Sequence, residues 1–217
     1  ALTSDQVGSL TTAQVGAISL AQVKSLTTDS VAALATDQDA ALNVKTVAGI
    51  TTDQVAALGS DQAEALTSAQ VAALTSAQLA AIASENLAAF STDDVAAITV
   101  SALAGLSTGN LASLSTDQIA ALKTAQVAAL KSTQLAALTS DQVGALTTAQ
   151  IGVISLAQIK ALTTDGIAAL STDQIAALNV KAVASLTTDQ VTALSSDQAG
   201  ALDALLGVLQ RVEVARR

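Results

Sequence analysis

Carboxylates and hydroxyl groups are the side chains in this sequence that could support chemistry, because it contains no His and no Cys. A Ser–His or Cys–His nucleophile is therefore excluded. Asp residues such as Asp5, Asp53 and Asp61 recur at multiples of eight, which would suit a ladder of calcium sites. The segments between them lack the glycine-rich turns that bring oxygen ligands around calcium, so we expect no metal site.

Two other acidic features depart from the pattern, one adjacent pair and one single residue. Asp93 and Asp94 form the single adjacent acidic pair, and Asp39 stands in a column that is otherwise apolar. The matched later position is Ile175, so we interpret Asp39 as part of a distorted or solvent-open repeat, not as a catalytic acid. Glycine-rich phosphate loops are also absent. The sequence therefore predicts neither an enzyme nor a bound cofactor.

These residues belong to 25 consecutive octads that run from Thr3 to Leu202 without insertion. Position 8 is Leu, Ile or Phe throughout, position 5 is apolar except at Asp39, and position 4 is Gln in 17 octads. A continuous helix does not fit, because eight residues at about 100° each would rotate the Leu stripe by roughly 80° per octad. The period indicates a repeat protein with one short element per octad.

The letters within an octad such as STDQIAAL (115–122) predict a short capped helix. Ser or Thr at position 1 with Gln at position 4 has the spacing of a capping box, and Asp at position 3 suits the first turn. Positions 5 and 8 then lie on one face. Four octads begin instead with Ala35, Ala83, Lys123 or Lys131 and carry a hydroxyl residue next, so we expect their caps to shift by one residue.

Such short helices are marginal alone, so they must stack on their neighbours. We predict an all-α solenoid over residues 1–202, with a small residue at position 7 allowing close backbone approach. A β-solenoid is the alternative. From Leu202 onward, leucines at helical spacing predict a longer amphipathic helix over 203–217 that caps the array or docks a partner. The first octad has no comparable cap, and an open end invites continuation by more chain or by another protomer.

A longer repeat is superimposed on the octads. Residues Thr3–Leu66 and Thr139–Leu202 are identical at 49 of 64 positions, with an offset of 17 octads. Position 2 is Ser or Thr except in octads 3, 6, 13, 20 and 23. These apolar exceptions are candidates for a subunit interface on an otherwise hydroxyl-lined surface, with local core filling as the alternative: Leu20, Val44, Val100, Leu156 and Val180.

Composition limits the partners. The net charge is -9, which argues against nucleic acid and anionic membranes as partners. No segment approaches the ~18 apolar residues of a membrane span, so we expect no membrane insertion. The chain starts without Met, and Ala1–Leu2 match the end of an octad, which suggests a processed product or a segment of a longer array.

The octads TTDQVAAL (51–58), TSAQVAAL (67–74) and STDQIAAL (115–122) resemble octapeptide arrays of large bacterial exported proteins, which are often labelled haem-utilisation or adhesion proteins. The resemblance covers Thr3–Leu202 and implies an extracellular or cell-surface location with a structural or adhesive role. A haem role does not follow from these residues, because the usual iron ligands His, Met, Cys and Tyr are all missing.

Together these observations predict a structural rod whose partner is another copy of itself, and which self-assembles into an extracellular filament or surface layer. The alternative is a spacer or ligand-binding stalk within a large bacterial adhesin. Its surface ligand is not specified by the sequence, and the regular hydroxyls make ice binding conceivable.

Overall fold

Each of the first 24 octads forms one short helix, the last octad begins a longer one, and every helix begins at position 2 of its octad. The computed structural model describes residues 2–215, with side chains up to residue 207. The first fourteen helices are α1 Ser4–Gly8, α2 Thr12–Gly16, α3 Leu20–Lys24, α4 Thr28–Ala32, α5 Thr36–Ala41, α6 Val44–Val47, α7 Thr52–Ala56, α8 Ser60–Ala65, α9 Ser68–Ala73, α10 Ser76–Ala81, α11 Ser84–Ala88, α12 Thr92–Ala97, α13 Val100–Leu103 and α14 Thr108–Ala112.

The remaining helices continue the same pattern: α15 Thr116–Ala121, α16 Thr124–Ala129, α17 Ser132–Leu135, α18 Ser140–Gly144, α19 Thr148–Gly152, α20 Leu156–Ala161, α21 Thr164–Ala168, α22 Thr172–Ala177, α23 Val180–Val183, α24 Thr188–Thr192 and α25 Ser196–Ala215. The described residues contain no strand. The all-α solenoid is therefore confirmed, and the β-solenoid alternative is wrong.

The predicted capping box sets the start of most helices. In α7, the Thr51 backbone N–H donates to Gln54 Oε1 over 3.0 Å, and the Gln54 N–H donates to Thr51 Oγ1 over 3.2 Å. At the other end, position 8 is often extended, as at Leu66 with φ -62° and ψ 133°, and the chain leaves the helix there. Each octad thus contains its own start and stop signals.

The predicted shift of the cap in four octads is wrong. Ala35, Ala83, Lys123 and Lys131 themselves occupy the N-cap, and their helices begin one residue later, as everywhere else. In three of these octads the Gln at position 4 still accepts the cap N–H, for example from Lys131 to Gln134 over 2.9 Å. The octad of Ala83 has no side-chain cap. Burial of positions 5 and 8 fixes the register, so losing one hydroxyl does not move the helix start.

The chain divides into two compact units, Ala1–Leu114 and Ser115–Arg217. Within each unit, a helix packs against the helix three octads further along, as α9 does on α12 and α17 on α20. The apolar side chains at positions 5 and 8 are mostly buried between these helices and form the core of each unit. Each unit is therefore a stack of short helices.

Position 4 links successive turns of the stack. Gln78 Nε2 donates to the carbonyls of Val47 and Ile50 over 2.9 and 3.0 Å, and these residues lie four octads earlier. Gln158 repeats this in the second unit with Val127 and Leu130, over 3.0 and 2.8 Å. Because the stacking neighbours of an octad lie three and four octads away, one turn contains between three and four octads.

The final helix starts earlier than the 203–217 segment expected from the sequence. It begins at Ser196, inside the last octad, and continues without a break through Leu202. The residues after Leu202 are Asp203, Ala204, Leu205 and Leu206, which do not form the hydroxyl-and-Gln box that starts a new helix elsewhere. The helix packs on α22 and α23. Arg216 and Arg217 lie outside the described residues.

Candidate functional site

Four of the five predicted interface residues are exposed to solvent. The exposed fractions of Leu20, Val44, Val100 and Leu156 are 37, 40, 44 and 46%, whereas Val180 is only half-buried. All five are the first residue of their helix. Their exposure excludes complete core filling at the four exposed positions.

The five residues form related arrangements in the two units. In the first unit, Leu20 and Val44 lie on α3 and α6, which contact each other, and in the second unit Leu156 and Val180 lie on the contacting helices α20 and α23. Val100 lies on α13, which packs on α10, and α10 in turn bonds to the octad of Val44 through Gln78. Val44 and Val100 are therefore two turns apart in the first unit.

Leu20 also packs within its own unit. A Cβ atom placed on Gly49 would lie 2.4 Å from Leu20 Cδ1, so the leucine side chain covers that glycine. Gly49 is at position 7, where we predicted that small residues allow close approach. Because Gly49, which follows α6, has no side chain, Leu20 can pack against the backbone there. The outer part of the Leu20 side chain remains exposed to solvent.

Asp39 lies in the core, so the expectation of a distorted or solvent-open repeat is wrong. Only 1% of the residue is exposed, and α5 is a regular helix. One carboxylate oxygen, Oδ2, accepts a hydrogen bond from Gln62 Nε2 over 2.9 Å, while Oδ1 has no partner among the described residues. Burial raises the pKa of this carboxyl to about 7, since the Gln62 bond only partly offsets the loss of hydration.

The surroundings of Asp39 are apolar. A small cavity next to it is lined by residues such as Val31, Leu34, Val55 and Leu58. Its volume, measured as the space open to the centre of a water molecule, is about 20 Å³. One water needs two to four polar partners, and this cavity offers one carboxyl group. The site therefore cannot bind a polar ligand well.

The acidic pair has a structural role in helix capping. Asp94 takes the place of Gln at position 4, and its Oδ2 accepts the Ser91 N–H over 3.1 Å. Its Oδ1 accepts a 2.6 Å bond from Ser68 Oγ, which lies on the packed helix α9. Asp93 is exposed. Across the described part of the chain, no group of three His, Cys, Asp or Glu residues could hold a metal ion.

The sequence reasoning missed the most extensive polar feature, which is the second use of the position-4 Gln. We assigned this side chain to the cap alone, although its amide group has both an acceptor and two donors. In interior octads Oε1 closes the cap, whereas Nε2 reaches the preceding turn. Predicting this link requires the number of octads per turn, which the octad pattern does not contain.

Together, these features define an α-solenoid repeat protein in which most octads cap their own helix and most also bond to an earlier octad. A family model described as the ALTTAQ repeat matches residues 31–68, 87–124, 95–132, 123–155, 148–180 and 167–204. These matches cover more than half of the chain, which therefore belongs to the ALTTAQ repeat family. A comparison with curated proteins finds no significant match. None of the described helices is long and apolar enough to cross a membrane.

Proposed function

We propose that this chain is a structural protein that self-assembles into an extracellular filament or surface layer. The observation that carries the proposal is the recurrence of exposed apolar residues at the first helical position, where the repeat otherwise has Ser or Thr. Leu20 with Val44, and Leu156 with Val180, place the same pair on contacting helices in each unit. Removing such side chains from water on association stabilises a contact between copies.

The composition supports a structural role. A catalytic site needs a cavity in which several polar groups converge, whereas the cavity beside the buried acid Asp39 is lined mainly by apolar side chains and Asp39 already accepts a hydrogen bond from Gln62. The resemblance to arrays in exported bacterial proteins supports an extracellular or cell-surface location. The repeat itself supports an extended scaffold, because each octad is built to stack on neighbours.

A double substitution tests the role of the position-2 residues in assembly. Leu20→Ser with Leu156→Ser restores the hydroxyl residue that most octads carry, so we expect unchanged helicity by circular dichroism. Assembly seen by electron microscopy at high protein concentration should require a several-fold higher concentration. The matched control is Val153→Ser with Leu206→Ser, which removes two apolar side chains of similar exposure (39 and 37%) at other positions.

Assembly of the double variant at the wild-type concentration would contradict the role of these residues. Dispersed single chains of the wild-type protein would contradict self-assembly altogether. That second result would favour the alternative role, a spacer within a large adhesin. The specific observation for this alternative is the chain of Gln–carbonyl bonds, which joins the turns within each unit and suits a load-bearing stalk.

A further inference from the structure

We propose that a surface of exposed apolar residues and lysines on one copy of this chain binds an acidic surface on another copy. This inference rests on the proposed self-assembly and specifies the chemistry of one contact. Four of the six lysines share an octad with an apolar residue at position 2, and these are Lys24, Lys45, Lys160 and Lys181. The sequence thus places most of its lysines beside the candidate interface residues, although the chain has twice as many acidic as basic residues.

In the first unit, these residues form one surface, defined here together with its counterpart in the second unit as the basic patch. Leu20 and Lys24 are four residues apart in α3 and therefore lie on the same side of that helix. Leu20 also covers Gly49, which comes four residues after Lys45. Val44 precedes Lys45 in α6, and the side chains of both, like those of Leu20 and Lys24, are exposed. The basic patch thus combines apolar surface with two lysines on the contacting helices α3 and α6.

The second unit carries a basic patch with the same spacing, 17 octads later. Leu156 and Lys160 are four residues apart in α20, and Val180 and Lys181 begin α23, which contacts α20. Leu156 and both lysines are exposed. Within the described part of the chain, none of the four lysines of the two basic patches forms an ion pair. Their charges are therefore available to a partner.

The charge of the chain determines what kind of surface this partner offers. With a net charge of -9, two copies repel each other on average, so a contact between them needs a place where positive side chains face negative ones. Two basic patches facing each other would set lysines against lysines. The complementary surface is therefore an acidic one, which the same chain can supply.

Such a surface lies on α5 and α8, which contact each other as α3 and α6 do. We define it as the acidic patch, formed in the first unit by Asp37, Asp61 and Glu64, all of which are exposed. Asp61 and Glu64 line a shallow depression of about 470 Å³ together with Thr36 and Ala65. The depression has room for a lysine ammonium group beside two carboxylates.

The second unit repeats the acidic patch with Asp173 and Asp197, which are exposed and lie on the contacting helices α22 and α25. In each unit, the acidic patch begins two octads after the basic patch. Since one turn contains between three and four octads, this step is roughly half to two-thirds of a turn. The basic and acidic patches of one unit therefore lie on opposite sides of its stack.

Patches on opposite sides determine how an assembly grows. When the basic patch of one copy binds the acidic patch of the next, each copy keeps its other patch free for a further contact. Such a heterologous contact continues into an open assembly unless it closes into a ring. The exposed apolar side chains of the basic patch leave the water in the same contact, which stabilises it.

A charge reversal at matched positions of the two units tests the basic patch. Lys24→Glu with Lys160→Glu replaces one lysine in each basic patch. The matched control is Lys123→Glu with Lys131→Glu, which changes the net charge by the same amount at exposed lysines of other octads. Any difference between the two variants is then an effect of position and not of net charge.

The opposite reversal tests the acidic patch. Asp61→Lys with Asp197→Lys replaces one carboxylate in each acidic patch, and its control is Asp53→Lys with Asp189→Lys, at exposed residues in the neighbouring octads. Both variants reduce the net negative charge and with it the general repulsion between copies. Weaker assembly of the patch variant would therefore reflect the lost contact.

Sedimentation velocity over a concentration series, with electron microscopy of the largest species, gives the readout, and circular dichroism checks that each variant is folded. We expect each patch variant to need about tenfold more protein than its control to assemble, a difference of about 1.4 kcal/mol. A chain that combines both patch variants exchanges the charges of the two surfaces. It should assemble close to the wild-type concentration, and this recovery also requires that both sets of substitutions leave the chain folded.

Patch variants that assemble like their controls, or a combined variant that assembles no better than either, would overturn the inference. Wild-type filaments that none of these substitutions affects would keep the proposed function and remove this contact. Small wild-type oligomers that the patch variants lose and the combined variant regains, without any filament or layer, would keep the contact and remove the proposed function. A wild-type protein that stays a single chain at every concentration would overturn both.

Discussion

Asp39 shows how one residue can change the behaviour of a repeated core. Its matched residue in the second unit is Ile175, which is fully buried, so the same position holds a carboxyl in one unit and a hydrocarbon in the other. The packed helix α2 presents no titratable group, α8 carries Asp61 and Glu64 in solvent, and α5 carries the exposed Asp37. No described cation lies on these helices to stabilise the charged form of Asp39.

We therefore expect the stability of the first unit to fall as the pH rises. The carboxyl has a pKa of about 7 in the folded chain, against its ordinary value of 3.8, so the folded state holds the proton more tightly. Below about pH 4 the proton on Asp39 contributes about 4 kcal/mol to the free energy of unfolding, and this contribution is lost progressively as the pH rises to 7. Urea unfolding between pH 4 and pH 8 measures this trend.

Substitutions at the two matched positions isolate the effect from the other carboxylates. Asp39→Ile should stabilise the protein, and its advantage over the wild type should grow between pH 4 and pH 7. Ile175→Asp should add a similar pH dependence to the second unit. If the difference between Asp39→Ile and the wild type were the same at pH 4 and pH 8, Asp39 would not be the group that titrates.

At the scale of the helix, position 7 controls how closely two neighbours can approach. A Cβ atom on Gly105 would lie 2.0 Å from the carbonyl oxygen of Ser76, which belongs to the packed helix α10. The contact is with backbone, so a side chain cannot simply rotate away. Gly105→Ala should therefore push α10 and α13 apart and destabilise the protein by about 1–3 kcal/mol.

Gly200 provides the matched control for this prediction. It lies within α25, and a Cβ atom placed there meets no atom within 4 Å. Gly200→Ala should stabilise the helix by up to about 1 kcal/mol, because Ala has the higher helix propensity. Chemical unfolding of both variants gives the comparison, and equal effects would show that the approach of Gly105 to Ser76 does not limit packing.

The sequence predicted the helices well because their signals are local. The hydroxyl, Gln and apolar positions of each octad act within eight residues, so most helix boundaries follow from the sequence of one octad. The four helices with a predicted cap shift are exceptions, because burial of positions 5 and 8 sets where they start. The inter-turn bonds of Gln54 and the burial of Asp39 depend on residues 23–31 positions away. Those contacts are set by the number of octads per turn, which a uniform repeat does not reveal.

Each unit is a stack in which most octads present the same amide donor at position 4 and similar carbonyl acceptors. Gln190 now bonds to Ile159 and Leu162, each over 2.8 Å, and Gln198 bonds to Ala168 and Leu170. Gln190 uses the carbonyls of positions 5 and 8 and Gln198 those of positions 6 and 8, and each of these carbonyls recurs in every octad. A register change by one whole octad therefore offers each Gln an equivalent set of partners, whereas a change by half an octad does not.

We accordingly expect deletion of residues 171–178, which form one consensus octad, to leave a folded protein. Gln190 would then bond to the carbonyls of Ile151 and Ile154, and the melting temperature should change by less than about 5 °C, because only one octad of the array is lost.

Deletion of residues 175–178 alone removes the apolar half of the octad and leaves the following octads out of register. Because core side chains and inter-turn bonds are then lost together, this variant should be destabilised by about 4 kcal/mol or more. Thermal unfolding followed by circular dichroism compares the two, and equal melting temperatures would show that the octad is not the unit of stacking.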